Sequence, residues 1–399
     1  MKKLSLYVHI PFCQRKCNYC DFLSGPAGEA KREEYVKALC REIREEGKVY
    51  GFSQTDSQAE AGRSRALSEN YSVDTLFFGG GTPSLLSPKE MKKIMEALRE
   101  GFVLEPEAEI TIEVNPGTVD LPKLETWRQL GINRLSVGLQ SADNGELKEL
   151  GRIHTWEDFL VTWERIRSCG FSNVNIDLMS ALPGQTEESY EDTLKKVMAL
   201  QPEHISAYSL MVEEGTEFFH RFGPGGKEEE RLPAEEEERR MYERTGELLK
   251  AAGYGRYEIS NYSLPGYECK HNVGYWTGKE YLGLGLGASS LMKHVRFSRE
   301  RELAVYIRKA KAGKDTVVWR EELDRKEQME EFMFLGLRLT KGVDPCRFQQ
   351  LFGVTLEEKY GRQIEKLKEK GLLLRTGEGR LALTHKGIDV SNQVFVEFI

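Results

Sequence analysis

Apolar and polar positions alternate in short runs along the first half of the chain, and stretches of helical period lie between them. The runs Leu4–Ile10, Val73–Phe78, Glu109–Asn115, Arg134–Gln140, Asn173–Met179 and His204–Leu210 predict strands. Glu33–Lys48, Pro88–Arg99, Trp156–Cys169 and Glu187–Leu200 predict helices. Strand–helix repetition argues for parallel βαβ units, so the expected class is α/β. Six such units suit a full or partial TIM-like barrel, with any chemistry at the C-terminal ends of its strands.

The second face of three runs is polar. Ile110, Ile112 and Val114 oppose Thr111 and Glu113; Leu135, Val137 and Leu139 oppose Ser136, Gly138 and Gln140; Val174, Ile176 and Leu178 oppose Asn175 and Asp177. A closed eight-stranded barrel fills its interior with Val, Ile and Leu. A polar interior instead predicts an incomplete barrel, (β/α)6, splayed around a large polar ligand. An ordinary sheet with one wet face would give the same alternation.

After Met211 the pattern changes. Tyr254–Tyr262 predicts another strand, and the glycines of Tyr281–Ser290 suit tight packing or close approach to a flat ligand. Ser53–Asn70 reads as a polar loop, and Lys227–Arg240 as a solvated loop leading into a helix. Met329–Leu339, Arg347–Phe352 and Leu356–Lys370 predict three helices, followed by a hairpin of Leu372–Arg375 and Arg380–Leu383. That is a winged-helix-like pattern. The expected organisation is a barrel over 1–212, an extension over 213–326 and a C-terminal helical domain over 327–399.

At 399 residues the chain is too long for one small core, and its net charge of −7 gives no general attraction to nucleic acid or anionic membrane. Residues 341–386 carry ten Lys/Arg against six Asp/Glu but no arginine-rich face, so no nucleic-acid partner is expected. No long apolar segment or signal sequence is evident, so a cytoplasmic location is expected; a peripheral position at a membrane stays open.

The densest chemistry lies in Tyr7–Phe22, YVHIPFCQRKCNYCDF, with Cys13, Cys17 and Cys20 directly after the first strand. An odd set of close thiols is not a disulfide framework, and it suits a soft metal centre. Iron–sulfur clusters normally use four cysteines, so three leave one iron open. A Cys₃His zinc site completed by His9 is the alternative. Cys40, Cys169, Cys269 and Cys346 occur singly and read as buried apolar residues. At the end of the second strand, Phe77–Pro83 (FFGGGTP) lets backbone approach a ligand closely.

The CxxxCxxC spacing followed by GGGTP resembles the radical S-adenosylmethionine (SAM) superfamily. That resemblance implies a 4Fe-4S cluster on Cys13, Cys17 and Cys20, with SAM on the fourth iron. YVHIPFC, EVNP, GLQS, GRIH and IDLMSALPGQT, in that order, are similar to the anaerobic coproporphyrinogen III oxidase branch. By resemblance, Tyr7 supports the cluster and SAM, and Tyr19 lies beside the cluster. Gly80, Gly81, Thr82 and Glu113 bind SAM; Gln140, Arg152 and Asp177 contact a second SAM where one binds, and Met211 completes the cofactor set.

Two features depart from the oxidase. Phe22 stands where the oxidase has a fourth cysteine, and only three residues precede the first strand. Both resemble the sister group, the haem chaperone HemW family, as does His271–Trp276 (HNVGYW). The resemblance implies a haem-binding protein that delivers haem to apo-haemoproteins, membrane respiratory enzymes among them. Homodimerisation and SAM cleavage stay open, and no coproporphyrinogen oxidase activity is expected. His271 is the first candidate for a haem ligand. His9, His154, His204, His220, His294 and Cys269 are the alternatives.

Overall fold

The structure, a computed structural model, describes residues 1–51 and 71–399. The polar segment Ser53–Asn70 lies outside the described residues. All six expected strands form: β1 (Lys2–Ile10), β2 (Tyr71–Gly80), β3 (Leu104–Val114), β4 (Arg134–Gln140), β5 (Val174–Ser180) and β6 (His204–Ser209). They pair in parallel and in sequence order. The helices between them begin where side chains satisfy their free N–H groups. Ser87 with Glu90, and Thr155 with Asp158, form capping boxes for Pro88–Gly101 and Trp156–Ser168. The apolar strand faces pack on these helices into one large core that includes Ile112, Leu135, Val137 and Ile176.

The polar faces turn inward. Tyr7 of β1 and Ser206 of β6 line the same cavity, so the six-stranded run curls around it without closing. The expected strand Tyr254–Tyr262 is instead two short ones, β7 (Gly255–Arg256) and β8 (Asn261–Ser263), antiparallel to each other, with β8 on β6. Buried Glu258 breaks the run, because its carboxylate turns the chain to accept from Ser260 N and Asn261 Nδ2.

On the other side of β1 the sheet continues through β9 (Tyr281–Leu284), β10 (Ser289–Met292), β11 (Val295–Arg299) and β12 (Val317–Glu322). The glycines of β9 and of the turn into β10 serve packing. A Cβ on Gly283 would lie 2.2 Å from Ser289 O. At Gly285, with φ +99°, it would lie 2.5 Å from the Tyr35 hydroxyl. Arg299, fully buried, bolts this extension to helix Glu29–Tyr50 through Gly283 O at 2.7 Å and Glu46 at 3.1 Å.

The C-terminal region forms a second core around Met333, Phe348, Tyr360 and Leu381. Its helices Arg325–Gly336, Pro345–Phe352 and Leu356–Glu369 precede the hairpin of β13 (Leu373–Arg375) and β14 (Leu381–Leu383), as the pattern predicts. Two short helices, His385–Asp389 and Ser391–Val396, follow the hairpin. The domain docks where Thr340 donates to Tyr257 O at 3.0 Å and Arg338 lies 4.4 Å above the Trp276 ring. Among the described residues no helix is long and apolar enough to cross a membrane.

Candidate cofactor site

The cysteine loop leaves β1 and is held at three places. Phe12 bridges Gly25, Cys13 N donates to Gly25 O, and Gly25 N donates to Pro11 O, which closes the loop on itself. Asn18, between the second and third cysteines, donates through N to Leu150 O at 3.0 Å and through Nδ2 to Glu149 O at 2.9 Å. It accepts from Phe218 N at 2.9 Å. Beneath the strand end, His9 Nε2 donates to Leu23 O at 2.9 Å, and Tyr7 donates its hydroxyl to Nδ1 at 3.1 Å. Tyr7 and His9 thus brace the loop. With both nitrogens engaged, His9 is no fourth metal ligand.

Cys13, Cys17 and Cys20 are free thiols lining one cavity of about 460 Å³. Among the described residues no three His, Cys, Asp or Glu side chains gather tightly enough for a single metal ion. A tetrahedral zinc site needs that convergence. A cluster does not, because each thiolate there takes a different iron. The zinc alternative therefore lacks its geometry. Burial raises the Cys20 thiol pKa, so a free thiolate there is disfavoured until a metal takes it.

The adjoining strand ends supply the rest. Glycines 80 and 81 prove to be packing requirements as well as ligand-facing backbone. Gly80 has φ +110° with the His9 ring 2.5 Å from where a Cβ would stand, and a Cβ on Gly81 would lie 2.7 Å from Phe12 O. Thr82 donates to Cys13 Sγ at 3.5 Å. Glu113 accepts from Gly80 N at 3.0 Å. Burial first, and then the nearby Asp177 carboxylate, raise the Glu113 pKa to about 8. Arg152 reaches Cys17 Sγ at 3.6 Å, Asn115 Oδ1 at 2.9 Å and Gly138 O at 2.6 Å, linking the cysteine loop to β3 and β4. Burial raises the Tyr19 hydroxyl pKa, keeping it neutral beside Arg152. Gln140, with φ +75° at a slip in the β4–β5 register, faces the cavity. Asp177 accepts from Ser136 Oγ at 3.1 Å and Asn175 Nδ2 at 2.7 Å.

The structure brings together every predicted site residue except Met211. β6 ends at Ser209, and the chain turns away, leaving the Met211 side chain 70% exposed and outside the cavity lining. Asn115 is a site residue absent from the sequence expectation. It donates to Thr82 at 2.8 Å, and its position two residues after Glu113, on the same strand face, was the available signal.

His271 lines the same cavity, at its floor. Helix Lys270–Trp276 packs beside Thr75 of β2 and Glu109 of β3, upstream of the strand ends that meet the cysteine loop. Glu109, at the start of the inward part of β3, accepts from Lys270 N and His271 N, each at 3.0 Å, and so caps the helix. His271 Nδ1 donates to Thr75 Oγ1 at 3.0 Å, since that hydroxyl itself donates to Ser5. Nε2 then accepts from the Tyr275 hydroxyl at 2.9 Å. Burial lowers the ring pKa to about 3, so the imidazole is neutral with both nitrogens engaged. Both ring nitrogens are thus held by partners within the fold.

The other haem-ligand candidates divide the same way. His204 is bonded to Asn175 and Tyr257. Cys269 is buried and its thiol pKa is raised to about 12 by that burial. His154 keeps a free Nε2 but is 5% exposed. His220 and His294 are exposed. Of the other single cysteines, Cys40 is buried as expected, Cys169 partly so, and Cys346 is exposed near the start of helix Pro345–Phe352.

His271→Ala is expected to destabilise the fold by about 2–4 kcal/mol, through the cavity and the stranded Thr75 and Tyr275 hydroxyls. It should leave the Soret band of added haem unchanged. Urea unfolding and haem titration on the variant check both.

Comparison with known proteins fits this geometry. The family model described as the Radical SAM superfamily matches residues 7–197, and that of the HemN C-terminal domain matches 323–390. The chain is 35% identical to the heme chaperone HemW of Lactococcus lactis, covering 100% of this chain and 98% of that one. The Bacillus subtilis heme chaperone HemW is also 35% identical, over 99% of both chains. A mouse protein, radical S-adenosyl methionine domain-containing protein 1, mitochondrial, is 33% identical over 100% of this chain and 87% of its own. The solved structure of coproporphyrinogen III oxidase (HemN) from Escherichia coli, described as a radical SAM enzyme, superposes with a TM-score of 0.82 at 25% identity. It covers 100% of this chain and 90% of that one.

Proposed function

Because the chain belongs to the HemW family within the radical SAM superfamily, we propose that it carries haem and passes it to apo-haemoproteins, with a SAM-ligated 4Fe-4S cluster in the same barrel. The observation that carries this reading is the mouth of the cavity. Phe22, 65% exposed, and Tyr208, 41% exposed, line it together with the exposed cations Arg15 and Lys16, the latter bonded to Phe22 O. Apolar surface flanked by positive charge suits a flat macrocycle bearing carboxylates. Phe22 also removes a polar, reactive side chain from the rim.

Cys13, Cys17 and Cys20 would hold the cluster, and their spread over one cavity wall fits three irons. When reduced, such a cluster can supply the electron that cleaves SAM. The chain's own groups do the positioning. Tyr7 and His9 fix the loop, Arg152 and Thr82 bond to the cysteine sulfurs, and Gly80 with Glu113 offers SAM a carboxyl whose proton state the ligand sets. Since His271 is engaged in the floor, haem iron would find its ligand elsewhere, and an exposed histidine such as His220 is free of the barrel interior. The acceptors would be apo-haemoproteins, reached from the cytoplasm or at a membrane surface.

The test is anaerobic incubation of the cluster-loaded protein with SAM, a reductant and coproporphyrinogen III, next to a haem titration. Saturable haem binding near one per chain without protoporphyrinogen IX is the expected result. Turnover to protoporphyrinogen IX at an enzymatic rate would overturn the reading in favour of the oxidase.

A further inference from the structure

The inner end of the cavity holds a charge with no counter-ion in contact. Arg134 opens β4, is 2% exposed, and lines the cavity beside Ser136, Asp177 and Asn272. Among the described residues no carboxylate lies within ion-pair distance of it, and its buried Nε has no hydrogen-bond partner. The nearest acids are committed elsewhere. Glu109 spends both oxygens on the N-terminus of Lys270–Trp276, and Asp177 accepts from Ser136 and Asn175. Cys269, Glu109 and Asp177 lie near enough to support the Arg134 charge despite its burial, yet none of them bonds to it, so its donors are left for a ligand. Thr111, which pairs with Arg134 across the β3–β4 ladder, also has a buried Oγ1 without a partner.

We propose that the inner chamber is a carboxylate subsite, in which Arg134 receives a carboxylate of the bound ligand. The fork of the guanidinium matches a carboxylate's two oxygens. The carboxylate has two sources compatible with the function proposed above, on which this assignment rests: a haem propionate or the amino-acid end of a second SAM molecule, one not held by the cluster. The chamber is reached from the cysteine loop through one continuous cavity, so either ligand enters from the same side.

Arg134→Gln and Arg134→Lys, each loaded anaerobically with the cluster, separate the cases. The probes are haem, haem dimethyl ester, SAM and acetate, read by titration and by thermal melting. Without ligand, Arg134→Gln should melt close to the parent, because the guanidinium makes no direct bond within the chain that the substitution would break. If the propionate is the group bound, the variant loses at least tenfold in haem affinity, and esterification weakens the parent but not the variant. If SAM supplies the carboxylate, SAM affinity falls at least tenfold and haem affinity is unchanged. In both cases Arg134→Lys recovers part of the loss, and acetate raises the melting temperature of the parent but not of Arg134→Gln. Should the parent bind neither haem nor SAM, the proposed function fails, and the acetate arm still decides the subsite. Equal binding of all four probes by parent and variant, or a lower melting temperature as the only change, would overturn it.

Discussion

Cys17→Ser leaves a folded chain that retains almost no iron after anaerobic reconstitution, against about four irons per chain for the parent. The expectation rests on the way the thiols are presented. Each of the three would serve a different iron, so none can substitute for a lost neighbour. Arg152 already bonds to Cys17 Sγ, and Asn18 beside it is fixed by three backbone partners, so the loop cannot slide to offer a replacement. The distant cysteines are of no help, because Cys40 and Cys269 are buried in other parts of the fold. Iron analysis and visible absorption give the readout. Far-ultraviolet circular dichroism should be unchanged, since the partly exposed thiol lines the cavity and the smaller hydroxyl takes its place there. Retention of most of the iron by this variant would mean that the metal sits elsewhere.

Glu113→Gln should weaken SAM binding by about 1.5–3 kcal/mol, the range for a hydrogen bond to a charged group, or roughly 10- to 100-fold. It should also remove a pH dependence. In the parent, burial raises the Glu113 pKa to about 8, so at pH 7 the unliganded carboxyl is mostly protonated. A cationic ligand favours the ionised form, so binding releases a proton and apparent affinity rises with pH until about 8, then levels. The glutamine variant is flat over the same range, after the ligand's own amine, common to both proteins, is subtracted. For stability the sign is opposite. The folded state keeps this proton above the ordinary carboxyl pKa of 4.5, so the residue's contribution falls as pH rises from 4.5 towards 8. Calorimetry at several pH values measures the first effect and urea unfolding the second.

The barrel was legible because its strands have two faces with different neighbours. Apolar positions on one face meet helices, and Glu113, Ser136 and Asp177 on the other meet a cavity, so alternation alone located the interior. The cysteine loop was legible because its ligands are local in sequence. His271 was not, since its role depends on Thr75, Glu109 and Tyr275, two of them more than a hundred and fifty residues away. The motif named the residue types and not the end of the barrel they would occupy. Arg134 was hidden for a related reason. By alternation it shares the inner face with Ser136, and only the folded structure shows that no acid in the chain bonds to it. Met211 misled in the opposite direction, because β6 stops two residues short of it.

The central claim is that this barrel carries haem instead of converting a porphyrinogen. The most direct measurement loads the purified protein with one equivalent of haem, in the presence of cluster and SAM, and adds an excess of an apo-haemoprotein. The Soret spectrum should shift to that of the acceptor, faster than from free haem, with coproporphyrinogen III left intact in a parallel reaction. Haem that never leaves the protein, together with conversion of coproporphyrinogen III, would contradict the account.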